Sequence, residues 1–198
     1  MYKSLVILAL SGLLFTPVSE GKFDGLSFGA SIGGNIASIK EAAVTDSLQQ
    51  LGPNGKVYVG IGKSLLDFLF VGAEAYGRYS FFMKSKEPTK ATVEGFPQFG
   101  AYLKAGLRPT EDLLIYGVFG LHTNSAQIKD RLETLFESRN ASWSTMVGAG
   151  IEVSVALGTA VRVEVVYEPT QNFELKDVTT VGYEANFLSL NLGVVIYL

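Results

Sequence analysis

Along residues 143–167 apolar and polar positions alternate with a period of two. Val147, Ala149, Ile151 and Val153 stand against Gly148, Gly150, Glu152 and Ser154; after a short turn at 156–159, Val161, Val163, Val165 and Tyr167 stand against Arg162, Glu164 and Val166. That period predicts a β-hairpin with one apolar face. Its other face carries glycines and isolated charges of both signs, unlike the mixed Lys, Glu and Thr of a strand that meets bulk water. Such a face suits a narrow, nearly closed interior, which leaves the apolar face for lipid.

The rest of the chain repeats the pattern. Leu26, Phe28, Ala30, Ile32 and Ile36 oppose Ser27, Gly29, Ser31, Gly33 and Asn35 in a first strand, and a polar stretch from about 38 to 56, with Gly52-Pro53-Asn54-Gly55, reads as a loop. Val57, Val59 and Ile61 against Tyr58, Gly60 and Gly62 make the second strand. A tight turn near Leu66-Asp67 leads to the third, where Val71, Ala73, Ala75, Tyr79 and Phe81 oppose Gly72, Glu74, Tyr76, Arg78 and Ser80. Residues 84–94, with Pro88, read as a second loop. The fourth strand sets Phe99, Ala101, Leu103, Ala105 and Leu107 against Gly100, Tyr102, Lys104 and Gly106, and 108–112 is a short turn. The fifth strand runs over 113–122. Residues 124–142 form a third long loop, in which Ile128, Leu132, Leu135 and Phe136 fall at the spacing of an amphipathic helical turn. The opening hairpin follows, then a loop at 168–183. The last strand, 187–198, sets Leu188, Leu190, Leu192, Val194, Ile196 and Leu198 against Ser189, Asn191, Gly193, Val195 and Tyr197.

Eight strands joined by alternately long and short connections predict an all-β fold, an eight-stranded antiparallel up-and-down transmembrane β-barrel with short periplasmic turns and long outer loops. A soluble cup of the lipocalin type shares the strand count and differs in which face is wet. Were the polar parity wet, the first and last strands would show water no charge at all, only Gly, Ser, Asn, Val and Tyr. Conversely, the apolar parity of the strand cores carries no Asp, Glu or Arg, and its one charge, Lys63, sits beside a short turn where its stem can reach the interface.

Composition agrees with this reading. The 198 residues are 47% hydrophobic and 18% charged, yet beyond the N-terminus no apolar run approaches the roughly 18–20 residues of a membrane helix. A chain of this kind spans a membrane only as a barrel. Lys3, the apolar run from Leu5 to Phe15 and the small Ser19 and Gly21 predict a signal peptide over 1–21, leaving a barrel domain over 22–198. The expected location is therefore the outer membrane of a Gram-negative bacterium, after export and cleavage. The net charge is −3 and the Lys and Arg residues form no stripe, so no nucleic-acid partner is expected. With no cysteine, thiolate chemistry, disulfides and Cys-based metal sites are excluded.

Val147-Gly148-Ala149-Gly150-Ile151-Glu152, Val161-Arg162-Val163-Glu164-Val165-Val166-Tyr167, and Lys104-Ala105-Gly106-Leu107-Arg108 with Leu114-Ile115-Tyr116-Gly117 resemble the small outer-membrane β-barrel family. That family includes the transmembrane domain of OmpA and the opacity-type surface proteins. The resemblance covers essentially the whole chain after the signal and implies outer-membrane lipid and the barrel-assembly machinery as partners, and an extracellular or host ligand for the loops. The family usually ends on Phe, the residue read by that machinery, whereas this chain ends on Leu198.

Candidate chemistry is sparse. Gly62-Lys63-Ser64 imitates the end of a phosphate loop, but Val57 stands where its glycine is needed and no helical pattern follows. Asn140-Ala141-Ser142 matches a glycosylation acceptor, which in a bacterial chain is coincidence. Some eight-stranded outer-membrane barrels are lipid A deacylases that use His and Ser on the lipid side. The single histidine, His122, has inward parity, so no catalytic, cofactor or metal site is assigned. The inward parity gathers Glu74, Arg78, Lys104, Glu152, Arg162 and Glu164, with Tyr58, Tyr76, Tyr102 and Tyr116 for bulk. An eight-stranded barrel is only wide enough to be filled by side chains, so these six charges are expected to pair and plug the lumen. The functional expectation is a structural, surface-interacting barrel; the alternatives are a narrow porin or transport barrel and a lipid-modifying enzyme.

Overall fold

The alternation closes on itself. A computed structural model describes residues 22–41, 47–81, 92–94, 96–124, 127–129, 135–136, 142–174 and 182–198. Its strands are β1 (Gly25–Glu41), β2 (Ser47–Leu66), β3 (Leu69–Ser80), β4 (Thr92–Glu94), β5 (Phe96–Thr110), β6 (Leu113–Asn124), β7 (Gln127–Lys129), β8 (Leu135–Phe136), β9 (Ser142–Ala156), β10 (Thr159–Glu174) and β11 (Gly182–Tyr197). Eight of them form a closed barrel in the order β1-β11-β10-β9-β6-β5-β3-β2, and every neighbouring pair is antiparallel. The seam is β1 on β11, from Ser27 opposite Tyr197 to Glu41 opposite Tyr183, extended by a hydrogen bond of 2.8 Å from the Leu198 amide to the Leu26 carbonyl. Closure leaves the barrel wall without the unpaired edge that lipid would not tolerate.

Side chains sort by parity as the alternation requires. Ile32, Val57, Leu103, Phe119, Ile151 and Leu190 point out and are exposed, whereas Tyr58, Tyr76, Tyr102 and Tyr116 point in and are buried. The apolar surface is thus outside and the polar surface inside, the reverse of a soluble cup. The three short turns, at Asp67-Phe68, Glu111-Asp112 and Leu157-Gly158, share one end, and Gly158 takes the left-handed φ of +68° that its turn requires.

The long connections are shorter than the composition suggests. Gly52-Pro53-Asn54-Gly55 lies within β2, not in a loop. Pro53 sits just beyond the last β3 pair, Asn54 with Ser80, and its carbonyl accepts from the Phe81 amide at 2.9 Å, so its missing N–H interrupts only the end of a ladder. Residues 168–174 and 182–183 likewise extend β10 and β11 across a register shift between Glu168 and Gln171, and β5 runs on to Thr110. The helical turn expected in 124–142 is replaced, where the chain is described, by strands: Ile128 pairs with Val93 and Phe136, and Lys129 with Leu135. A lone helical turn has no propagation to offset its nucleation, whereas three short strands satisfy one another's backbones. Leu132, and the signal segment 1–21, lie outside the described residues.

Candidate functional site

Within the lumen, the strand parity that sends Val161, Val163 and Val165 outward turns Arg162 and Glu164 inward, and the same parity on β3, β5 and β9 delivers Glu74, Lys104 and Glu152. Arg162 is the hub and only 1% exposed. Its two terminal nitrogens donate to the two carboxylate oxygens of Glu74 at 2.6 and 2.7 Å, and its Nε donates to Glu152 Oε1 at 2.8 Å. The guanidinium also lies 4.2 Å from the Tyr58 ring centre. Lys104 closes the cluster from the opposite wall, bonding Glu152 and reaching Glu74 at 3.3 Å, with its ammonium 4.2 Å above the Tyr116 ring. Tyr102 donates to Glu74 at 2.7 Å, and Tyr197 to Glu152.

The other two expected residues lie apart from this cluster. Glu164 is held by Lys56, with Tyr116 at 3.2 Å and Tyr102 at 3.3 Å, so Tyr102 links it to Glu74. Arg78 sits nearer the outer mouth. It bonds Glu168, donates to Gln98 Oε1 at 2.7 Å and to Ser189 at 3.0 Å, and Ser189 in turn donates to Asn35 at 2.7 Å. Lys56 and Glu168 were not among the six because 38–56 and 168–183 read as loops. The signal that finds them is parity: Lys56 continues Tyr58 and Gly60, and Glu168 continues Glu164 and Val166. With both included, these two groups hold four carboxylates and four cations, and every one of the eight has an ion-pair partner.

His122 faces inward and is fully buried. Its Nε2 lies 3.5 Å from Glu168 Oε2, and its Nδ1 3.3 Å from the Thr123 carbonyl and 3.5 Å from Gln98. Its neighbours are members of the outer polar cluster. Among the described residues no three His, Asp or Glu side chains converge as metal ligands. Outside the wall, at the end with the short turns, Lys22 donates to Asp112 at 2.5 Å, a hydrogen bond that raises the Lys22 ammonium above its ordinary pKa.

The inward glycines make room for these side chains. A Cβ on Gly150 would stand 2.4 Å from Tyr116 Oη and 2.9 Å from the Val163 carbonyl of the adjacent strand. The tyrosine can shift; the backbone carbonyl cannot. Gly150→Val is expected to abolish the compact, fast-migrating form on unheated gels, whereas Ala149→Val, on the lipid side of the same strand, preserves it.

A family model described as outer membrane protein beta-barrel domain matches residues 6–195. Among solved structures, Neisserial surface protein A (NspA) is similar over 88% of this chain and 100% of its own, with 15% identity and a TM-score of 0.51. Ail, the attachment invasion locus protein of Yersinia pestis, is similar over 87% of this chain and 99% of its own, with 17% identity and a TM-score of 0.45. OprG from Pseudomonas aeruginosa covers 90% of this chain and 99% of its own, with 15% identity and a TM-score of 0.41. At these identities the likeness is one of fold. No curated protein matches the chain.

Proposed function

The chain belongs to the outer membrane protein β-barrel family and resides in the outer membrane of a Gram-negative bacterium, and from that premise we propose that it is a non-catalytic display barrel: a wall with a plugged lumen that carries outer segments for contact with an extracellular or host ligand. The observation that carries this reading is the pairing of four buried carboxylates with four buried cations, in a central group and a separate one nearer the outer mouth, inside a lumen that eight strands leave narrow. A filled lumen leaves the outer end as the part available for contact. Strand length supports this: β10, β11, β1 and β2 run to 16, 16, 17 and 20 residues against 12 for β3 and β6, so one side of the wall rises higher on the end opposite the short turns. Lipid holds the outer face, the assembly machinery inserts the barrel, and 1–21 is the export signal removed before it.

Two readouts on one pair of proteins test this. Cells displaying the intact chain should gain binding to immobilised host-cell surface, and lose it when residues 84–90 and 130–134 are trimmed, while both purified proteins stay electrically silent in planar bilayers. Large, steady, weakly selective conductance from the intact chain would move the reading to a porin. Binding unchanged by trimming would remove the display role.

A further inference from the structure

At the end with the short turns, two of the three residues described ahead of the first strand, Phe23 and Asp24, are buried, while Lys22 stays exposed at the rim. Gly25 takes a φ of +100°, a conformation open to glycine, and a Cβ there would meet the Leu198 carbonyl at 2.5 Å. This bend breaks the line of β1 and sends Phe23 into the barrel mouth, where its ring is fully buried. The ring stands edge-on to Tyr197 at 5.7 Å between centres, lies 5.8 Å from the Arg108 guanidinium, and joins the buried cluster of Phe70, Leu114, Ala160 and Val195. Polar contacts fasten the segment on either side of the ring. Asp24 Oδ1 accepts from the Ser64 amide at 2.8 Å and from its hydroxyl at 2.7 Å, Arg108 donates to that same hydroxyl at 2.5 Å, and Lys22 bonds Asp112 across the rim. The segment therefore ties the ends of β2, β5 and β11 together across the opening.

We propose that residues 22–24 form a periplasmic strap, hinged at Gly25, with Phe23 as the stopper that keeps water from the lumen charges. Tyr197 is the direct link: one edge meets Phe23, and its hydroxyl donates to Glu152, which Arg162 and Lys104 share. Water admitted at Phe23 would thus reach the carboxylate at the centre of the cluster and weaken its pairs by raising the local dielectric. The strap rests on the closed-lumen reading, and its test separates the two.

The chain has no cysteine, so a single introduced thiol reports access cleanly. Ala160→Cys places it in the apolar cluster above the stopper, and Ala37→Cys places one in the buried inner face near the outer end. The purified full barrel in vesicles is treated with a small charged methanethiosulfonate. Cys at 160 should react slowly in the parent and about tenfold faster or more with Phe23→Ala, as opening of the mouth replaces rare local unfolding as the route of entry; Cys at 37 should keep its rate. Should Phe23→Ala fail to give the heat-modifiable form, Asp24→Ala, which cuts both bonds to Ser64 and keeps the ring, decides the matter by the same readout. A slow parent whose folded strap variants are equally slow overturns the strap and leaves the closed lumen standing. Fast reaction at 160 in the parent overturns both.

Discussion

Arg162→Ala lowers the resistance of the folded barrel to urea by about 3–5 kcal/mol, the range for removing one partner of a buried ion pair. Three nitrogens of Arg162 bond Glu74 and Glu152, both buried, and its loss leaves those two carboxylates with Lys104 as their remaining cation. One buried negative charge is then unbalanced. Glu74→Gln in the same chain removes that excess and should recover part of the loss, so the double variant is more stable than Arg162→Ala alone. Trp143 is the only tryptophan and lies exposed on the outer face, so its fluorescence follows unfolding without added probes. A loss below about 1 kcal/mol would falsify the coupled cluster.

The same side chain one position further on should have the opposite standing. Val163→Arg is expected to cost about 2–4 kcal/mol and to reduce the heat-modifiable folded fraction after refolding in vesicles, because a cation on the lipid face near mid-bilayer has no partner. Val163 is exposed, pairs with Ile151 and Leu192 on the same outer face, and lies midway between the Leu157-Gly158 turn and the outward Tyr167. Leu157→Arg is the control. At the tip of a short turn and 97% exposed, it reaches the interface, where the charge costs about 0–1 kcal/mol. Equal stability of the 163 and 157 variants would mean that the apolar parity does not face hydrocarbon.

The contrast between positions 162 and 163 shows what was legible in the sequence. Period two assigns every residue of a strand to one of two faces, and a face without Asp, Glu or Arg beside a face of glycine, tyrosine and paired charges admits only one of them to lipid. Parity needs no knowledge of the partner strand. It therefore predicts an inward place for Glu74, Arg78, Lys104, Glu152, Arg162, Glu164 and His122, and all seven side chains are buried. Strand ends are another matter. Gly52-Pro53-Asn54-Gly55 has the composition of a turn, and β2 carries it because β1 supplies a ladder on one side as far as Lys40 opposite Ser47. Local turn propensity lost there to backbone hydrogen bonds that only the neighbouring strand provides. Lys56 and Glu168 were hidden by the same misplaced boundaries.

By itself, then, the sequence determined the eight barrel strands, their facing, the shared end of the short turns and the membrane as solvent, since each follows from a local period and the lipid's intolerance of unpaired polar groups. The tertiary structure alone decided which charge meets which. Arg162 and Glu74 are 88 positions apart, Lys56 and Glu164 are 108 apart, and their meeting depends on stagger across a closed barrel, to which a one-dimensional pattern is blind. It decided too that Phe23, which belongs to no alternating run, turns inward at Gly25, because a single positive φ and the space left beneath Tyr197 exist only once the wall has closed.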